Sequence, residues 1–193
     1  MKNKKALITI GIIAAVVIIL IIAVAGTYNS FVKKQETIET AKSDISTQLQ
    51  RRADLIPNFA ATVKSYKDYE SSTLTAVTEA RSAVAKATNN TELADASQKL
   101  DSAISVWVNA ITEAYPNLKA DTQYIALQDE LAGTENRITQ ARKKYNDTVK
   151  TFNTEVRTFP KNIIAGIFGF EKYDYFEASA GSENVPNVSD ILG

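Results

Sequence analysis

Histidine and cysteine are both missing from this 193-residue chain. Without histidine it has neither the commonest metal ligand nor the usual general base near neutral pH. Without cysteine there is no disulfide framework and no thiol chemistry. Net charge is missing too, since 22 Lys+Arg face 22 Asp+Glu. Setting aside Lys2, Lys4 and Lys5 leaves 19 basic against 22 acidic residues, a mildly acidic balance. A nucleic-acid binder needs a basic footprint, so nucleic acid is not an expected partner. Proline is scarce, with 4 in all. Pro57, Pro116 and Pro160 fall where the helical pattern is expected to stop or restart.

What the chain has in excess is one apolar run. From Ala6 to Ala25 no residue is charged and Thr9 alone is polar. About 20 helical residues rise ~30 Å, the thickness of a bilayer's hydrocarbon core. The run follows Met1-Lys2-Asn3-Lys4-Lys5, and Ala23-Val24-Ala25 before Gly26 fits a signal-peptidase site. A signal peptide's apolar region is usually ~7–15 residues, shorter than this one. A retained anchor is the expectation, and cleavage after Ala25, giving a secreted bundle, is the alternative. The expected organisation is a short basic N-terminus (1–5), a transmembrane helix (6–25), a helical bundle (26–177) and a flexible tail (178–193). Lys2, Lys4 and Lys5 lie tight against the span, whereas Lys33, Lys34 and Lys42 after it are interleaved with Glu36, Glu39 and Asp44. That asymmetry leans toward a cytoplasmic N-terminus and a bundle outside the cytoplasm.

Beyond the anchor, apolar residues recur at helical spacing. Tyr28, Phe31, Ile38, Ile45 and Leu49 form a first stripe, with little to separate it from the anchor. Asp54-Leu55-Ile56-Pro57 reads as a turn, because proline disfavours the α conformation before it and suits a helix start. A second stripe then runs through Phe59, Val63, Tyr66, Leu74, Val77 and Val84 to the turn residues Thr88–Thr91. A third holds Leu93, Leu100, Ile104, Trp107, Ile111 and Ala114, up to Pro116. The fourth is the most regular: Leu127, Leu131, Ile138, Ala141, Tyr145, Val149, Phe152 and Val156, up to Pro160. Gly133 within it costs ~1 kcal/mol relative to alanine, which hints at a neighbouring helix packed closely there. The fold class is all-α: an N-terminal transmembrane helix, then an antiparallel up-and-down four-helix bundle with long helices.

No constellation carries chemistry. Glu36, Glu39, Asp129, Glu130 and Glu135 lack the Glu-x-x-His pairs of a di-iron bundle and any EF-hand loop. Ser65 sits between Lys64 and nearby Lys67, but no strained nucleophile turn or glycine-rich oxyanion loop accompanies it. No GxxxxGK[ST] phosphate loop occurs. No catalytic, cofactor-binding or metal-ligating residue is assigned, and the chain is not expected to be an enzyme.

Two regions remain as surfaces. Folded up and down, the Arg51–Asn58 and Tyr115–Ala120 turns meet at one membrane-distal tip. Arg51, Arg52, Asp54, Asn58, Tyr115, Asn117, Leu118 and Lys119 would face a partner there, in the mix of arginine, aromatic and aliphatic groups that interfaces favour. The bland reading pairs the arginines with acids such as Glu113 or Asp121 and leaves the prolines to end helices. Near the bilayer, Ile163, Ile164, Ile167, Phe168 and Phe170, flanked by Lys161 and Lys172, have the composition of a membrane-interface segment. The same residues would serve equally to cap the bundle core.

The stretches Gln50-Arg-Arg-Ala-Asp-Leu-Ile-Pro-Asn58, Tyr115-Pro-Asn-Leu-Lys-Ala120 and Leu127-Gln-Asp-Glu-Leu131 resemble the LemA family of bacterial membrane-anchored helical proteins. So do Thr134-Glu-Asn-Arg-Ile138, Ala141-Arg-Lys-Lys-Tyr-Asn146 and Tyr175-Phe-Glu177, in the family's order. Pro186-Asn187-Val188 is similar to the family's short Pro-Val tail but departs in detail. The resemblance implies a bundle on a single-pass helix in a bacterial cell membrane, with no established activity and no cofactor. It also implies a genomic neighbour, a membrane zinc metalloprotease, as a candidate partner system, and relatives acting in magnetosome membranes. The expected function is a membrane-anchored scaffold or adaptor presenting the bundle to unidentified protein partners, in envelope organisation or membrane protein quality control. The rival is an oligomeric membrane-shaping protein whose copies assemble on the bilayer.

Overall fold

The computed structural model describes residues 2–64 and 72–176, apart from the side chains of residues 2–6, 64, 72, 73 and 119. Tyr66 of the second stripe, Ser65 and Lys67, and the 178–193 tail with Pro186-Asn187-Val188 lie outside the described residues. Every regular element among the described residues is helical: α1 (Lys2–Lys64), α2 (Ser72–Lys86), α3 (Asn90–Ala114), a 3-10 segment (Pro116–Ala120), α4 (Thr122–Arg157) and α5 (Lys161–Phe168). The all-α class and the four long helices follow the sequence pattern.

The turn expected at Asp54–Pro57 is not there. α1 runs unbroken for 63 residues with Pro57 inside it. A mid-helix proline removes one backbone hydrogen bond and crowds the preceding turn. Here Pro57 itself is exposed, while Leu49, Ala53, Ile56, Phe59 and Val63 around it are all buried. The packing of that face outweighs the local penalty, so the proposed second stripe is divided between α1 and α2. α3 begins where the turn residues place it. The Asn89 side chain accepts the Glu92 backbone N–H at 2.9 Å, and the Glu92 carboxylate accepts the Thr88 N–H at 2.8 Å. This reciprocal arrangement satisfies donors that the helix start leaves open.

The chain forms two compact units. The first comprises Met1–Ala41 and Asn146–Asp174. In it the start of α1 packs on the end of α4, with Phe31 against Phe152 at 5.8 Å between ring centroids and Lys34 Nζ 2.8 Å from Glu155 Oε1. The second comprises Lys42–Tyr145 and Tyr175–Gly193. There α1 is antiparallel to α4, through Asp44–Lys144 at 2.8 Å and Phe59–Tyr124 at 5.1 Å. α3 is likewise antiparallel to α4, through Asn90–Tyr145 at 2.5 Å and Thr112–Tyr124 at 2.8 Å. Trp107, fully buried, packs against Phe59 at 4.9 Å in the middle of this core. At Gly133 the nearest atoms a Cβ would meet belong to the Arg137 guanidinium of its own helix, at 3.6 Å, and not to a neighbouring helix.

Candidate functional site

The apolar run is the first feature that needs a partner. Leu7, Ile10, Ile13, Ile19 and Ile22 all stand exposed on α1, and this is the one helix among the described residues long and apolar enough to cross a membrane. The helix that carries it continues into buried Phe31, Ile38 and Ile45.

The second unit is organised around charge. Arg52 is 6 % exposed. Its Nη1 sits 3.0 Å from Asp101 Oδ1 on α3, and it also meets Glu135 on α4. Arg142 approaches the other Asp101 oxygen at 4.0 Å, bonds the Ser97 hydroxyl, and lies 5.7 Å from the Phe176 ring centroid. Two guanidiniums thus face two carboxylates, and the cluster balances its own charge. Burial pushes the Arg52 and Arg142 guanidiniums below the usual arginine range, against the pull of Asp101. Burial also raises the Asp101 carboxyl above the usual aspartate range, against the pull of both arginines. A groove of about 290 Å³ opens beside the cluster, lined by Arg52, Asp101, Ile104, Gln128, Leu131 and Glu135 among others.

This geometry withdraws Arg52 and Leu118 from the surface read as one tip. Arg52 lies within a helix rather than at its end, and its partners are Asp101 and Glu135, not Glu113 or Asp121. Glu135 is itself more than three turns into α4, about 20 Å from the helix start. Arg51 and Asn58 are exposed along α1, and the exposed Asp54 carboxylate accepts from Gln50 at 2.8 Å and Arg81 at 3.2 Å. Tyr115, half-buried, caps α3; Asn117 is exposed, Leu118 is fully buried, and Lys119 lies within the same 3-10 segment. Leu118 therefore serves the core rather than a partner. The sequence reading missed Asp101, Arg142 and Ser97. Their signal was present: Ser97 and Asp101 interrupt the apolar stripe of α3 between Leu93 and Ile104.

The first unit carries the aromatic segment. Phe168 and Phe170 pack on Tyr28 with ring centroids 4.9 and 5.5 Å away, and Phe170 also meets Phe31 at 4.9 Å. Ile164 is half-buried, and Ile163 and Ile167 are exposed. Glu155 joins three helices, accepting from Lys34 at 2.8 Å and Lys161 at 2.9 Å. Burial works against its charge, but the two lysines outweigh burial and hold its carboxyl below the usual glutamate range. The Asn153 amide donates to the Tyr173 carbonyl at 2.8 Å, and its side-chain oxygen accepts the Tyr173 N–H at 2.9 Å.

An all-helical chain with one exposed, membrane-length apolar helix and a self-neutralised polar core is a membrane-associated helical protein. It belongs to the LemA family, whose signature matches residues 41–189. It is 28% identical over 155 residues to protein LemA of Metamycoplasma hominis, covering 80% of this chain and 70% of that one. It is 23% identical over 175 residues to magnetosome protein MamQ 2 of Paramagnetospirillum magneticum, covering 78% of this chain and 64% of the relative. Magnetosome protein MamQ of Magnetospirillum gryphiswaldense is likewise 23% identical over 180 residues, with 80% and 66% covered. The chain thus spans just under two-thirds of the length of these magnetosome proteins.

Proposed function

We propose that this chain is a non-enzymatic, membrane-anchored scaffold or adaptor that presents its helical bundle to protein partners on the extracytoplasmic side. The observation that carries the reading is the continuity of α1, in which one unbroken helix includes both the apolar span and the buried face of the bundle. A flexible linker would let a domain search around its anchor. A continuous helix instead joins the span directly to the packed face that follows it, as a platform requires. Arg51, Asn58 and Asn117 are exposed polar positions on the platform and the partner-facing residues of this reading.

The cysteine-free sequence makes the test clean. A single cysteine at exposed Ser43 should react with a membrane-impermeant maleimide in intact cells, which checks the side of the membrane. Photo-crosslinkers at Arg51, Asn58 and Asn117 should then trap discrete complexes with other proteins in native membranes. Large coats of this chain alone on reshaped vesicles would favour instead a membrane-shaping role. Absence of crosslinks from all three positions would remove the partner-facing surface.

A further inference from the structure

We infer that α5 is a second membrane contact: a short helix whose exposed Ile163 and Ile167, with Phe159 just before it, rest in the bilayer that α1 crosses. Phe159 is 76%, Ile163 53%, Ile167 73% and Phe168 48% exposed, whereas Ala165 on the opposite side is buried. Ile163 and Ile167 are spaced at i and i+4, so they form one row on the helix surface, and Phe159 exposes its ring just before the helix begins. A contiguous apolar row left in water is costly, and soluble proteins seldom keep one.

The position of the row says what covers it. Phe168 packs on Tyr28 and, with it, lines an open apolar groove of about 430 Å³ whose other walls are Val17, Leu20, Ile21, Val24 and Ala25. Those residues are the last turns of the span itself. α5 is therefore docked where α1 leaves the hydrocarbon, the depth at which interfacial helices and aromatic side chains settle. Its row and the groove continue the span's lipid-facing surface sideways, and lipid is the occupant both fit. Exposed Lys172 follows the segment and can reach phosphate headgroups while its stem stays apolar.

The helix is held in that place rather than tethered. Lys161 bonds Glu155 at 2.9 Å before the first turn is complete. Gly169 ends the helix at φ 73°, a left-handed conformation that glycine adopts freely, and the Phe170 N–H bonds back to the Ala165 carbonyl at 2.9 Å. That reversal sends Phe170 onto Tyr28 and Phe31, and Asn153 clamps Tyr173 beyond it. Phe170 thus belongs to the core of this unit, and exposed Phe159, Ile163 and Ile167 are the part left to the membrane.

The inference rests on α1 spanning the bilayer, and one experiment separates the two. Full-length protein with a single nitroxide-labelled cysteine at Ile13, Ile163, Ile167 or Val106 is reconstituted in phosphatidylcholine–phosphatidylglycerol vesicles. Collision with oxygen, which concentrates in lipid, is compared with collision with a water-soluble nickel chelate. Val106 is the aqueous control, exposed at 60% on α3. All four side chains are exposed, so the labels need no core rearrangement, and unchanged Trp107 emission confirms that the second unit is intact. The expected result is a several-fold higher oxygen-to-nickel ratio at Ile163 and Ile167 than at Val106. A lipid signature at Ile13 with Val106-like ratios at 163 and 167 overturns the inference and leaves the anchor standing. Water access at Ile13 overturns the anchor. Protection from both reagents with dipolar broadening at 167 means that a second copy covers the row, and that also overturns the inference.

Discussion

Arg52→Met offers the sharpest test of what holds the second unit together. The substitution keeps most of the side chain's length and apolar stem but strands Asp101 and Glu135 without the guanidinium they share. Removing one partner of a fully buried ion pair costs about 3–5 kcal/mol, mainly because the other charge is left buried. Asp101 and Glu135 retain 26% and 39% side-chain exposure, so water recovers part of that penalty. The expected loss is about 2–4 kcal/mol at neutral pH. Asp101→Asn in the Arg52→Met background should return about 1–2 kcal/mol of it, because the stranded charge goes as well.

The pH dependence gives the loss a signature. Burial already raises the folded Asp101 pKa above its ordinary value, and Arg52 is one of the two groups that hold it down. An acid whose folded pKa is raised contributes most stability below its unfolded pKa, ~3.9, and loses it as pH rises through the folded value. Deleting Arg52 raises the folded pKa further. The difference between wild type and variant should therefore shrink as pH falls from 7 toward 4. Trp107, the only tryptophan and fully buried, reports unfolding by urea directly for the full chain in mild detergent. A loss below about 0.5 kcal/mol, the usual limit for a surface substitution, or one independent of pH, would refute the idea that this cluster is a mutually dependent unit.

Three other outcomes follow from the same geometry. Pro57→Ala should stabilise the protein, since restoring a hydrogen bond and removing a ring clash worth about 3 kcal/mol outweighs the roughly 0.4–1 kcal/mol lost through a freer unfolded chain; the urea midpoint checks it. Gly133→Ala should add about 0.5–1 kcal/mol, because the nearest atoms the new methyl meets are the end of the flexible Arg137 side chain, at an ordinary 3.6 Å; destabilisation in the same urea experiment would reveal a helix neighbour there. Glu155 has a lowered folded pKa, so its contribution is present above the ordinary glutamate value of ~4.3 and lost as pH falls through the folded value. A nitroxide at Ile163 should accordingly loosen in acid, and Glu155→Gln should show that looseness already at neutral pH.

Much of this architecture was legible because it rests on periodicity. The third and fourth stripes match the buried faces of α3 and α4, with Leu100, Trp107, Ile111, Ile138, Tyr145 and Phe152 all solvent-free. The start of α3 was legible because its capping residues are local chemistry, with Asn89 and Glu92 satisfying donors in the same few residues. Pro57 misled for the complementary reason. Its local preference for a helix start is a matter of a few kcal/mol. Buried Ile56, Phe59 and Val63 are each worth up to ~1.5–3 kcal/mol, and they extend the face of Leu49 and Ala53 only if α1 continues.

That one displaced turn accounts for the whole rearrangement of the candidate surface. With helix 1 ended at residue 54, Arg52 sits at a helix terminus and looks available to a partner. With α1 continued to Lys64, the same side chain enters the bundle between α3 and α4 and finds Asp101 and Glu135. No inspection of Arg51-Arg52 alone separates these outcomes, because the polar residues that receive Arg52 are tens of residues distant. Asp101 and Ser97, polar intrusions in an apolar stripe, were the readable half of the pair. A buried carboxylate on one helix requires a cation from another, and Arg52 and Arg142 were the arginines whose positions on apolar faces met that need. The exposed apolar row of α5 obeys the same reasoning in reverse. Among the described residues of its own unit nothing covers Phe159, Ile163 and Ile167, and the span beside them is why lipid is the occupant proposed for them.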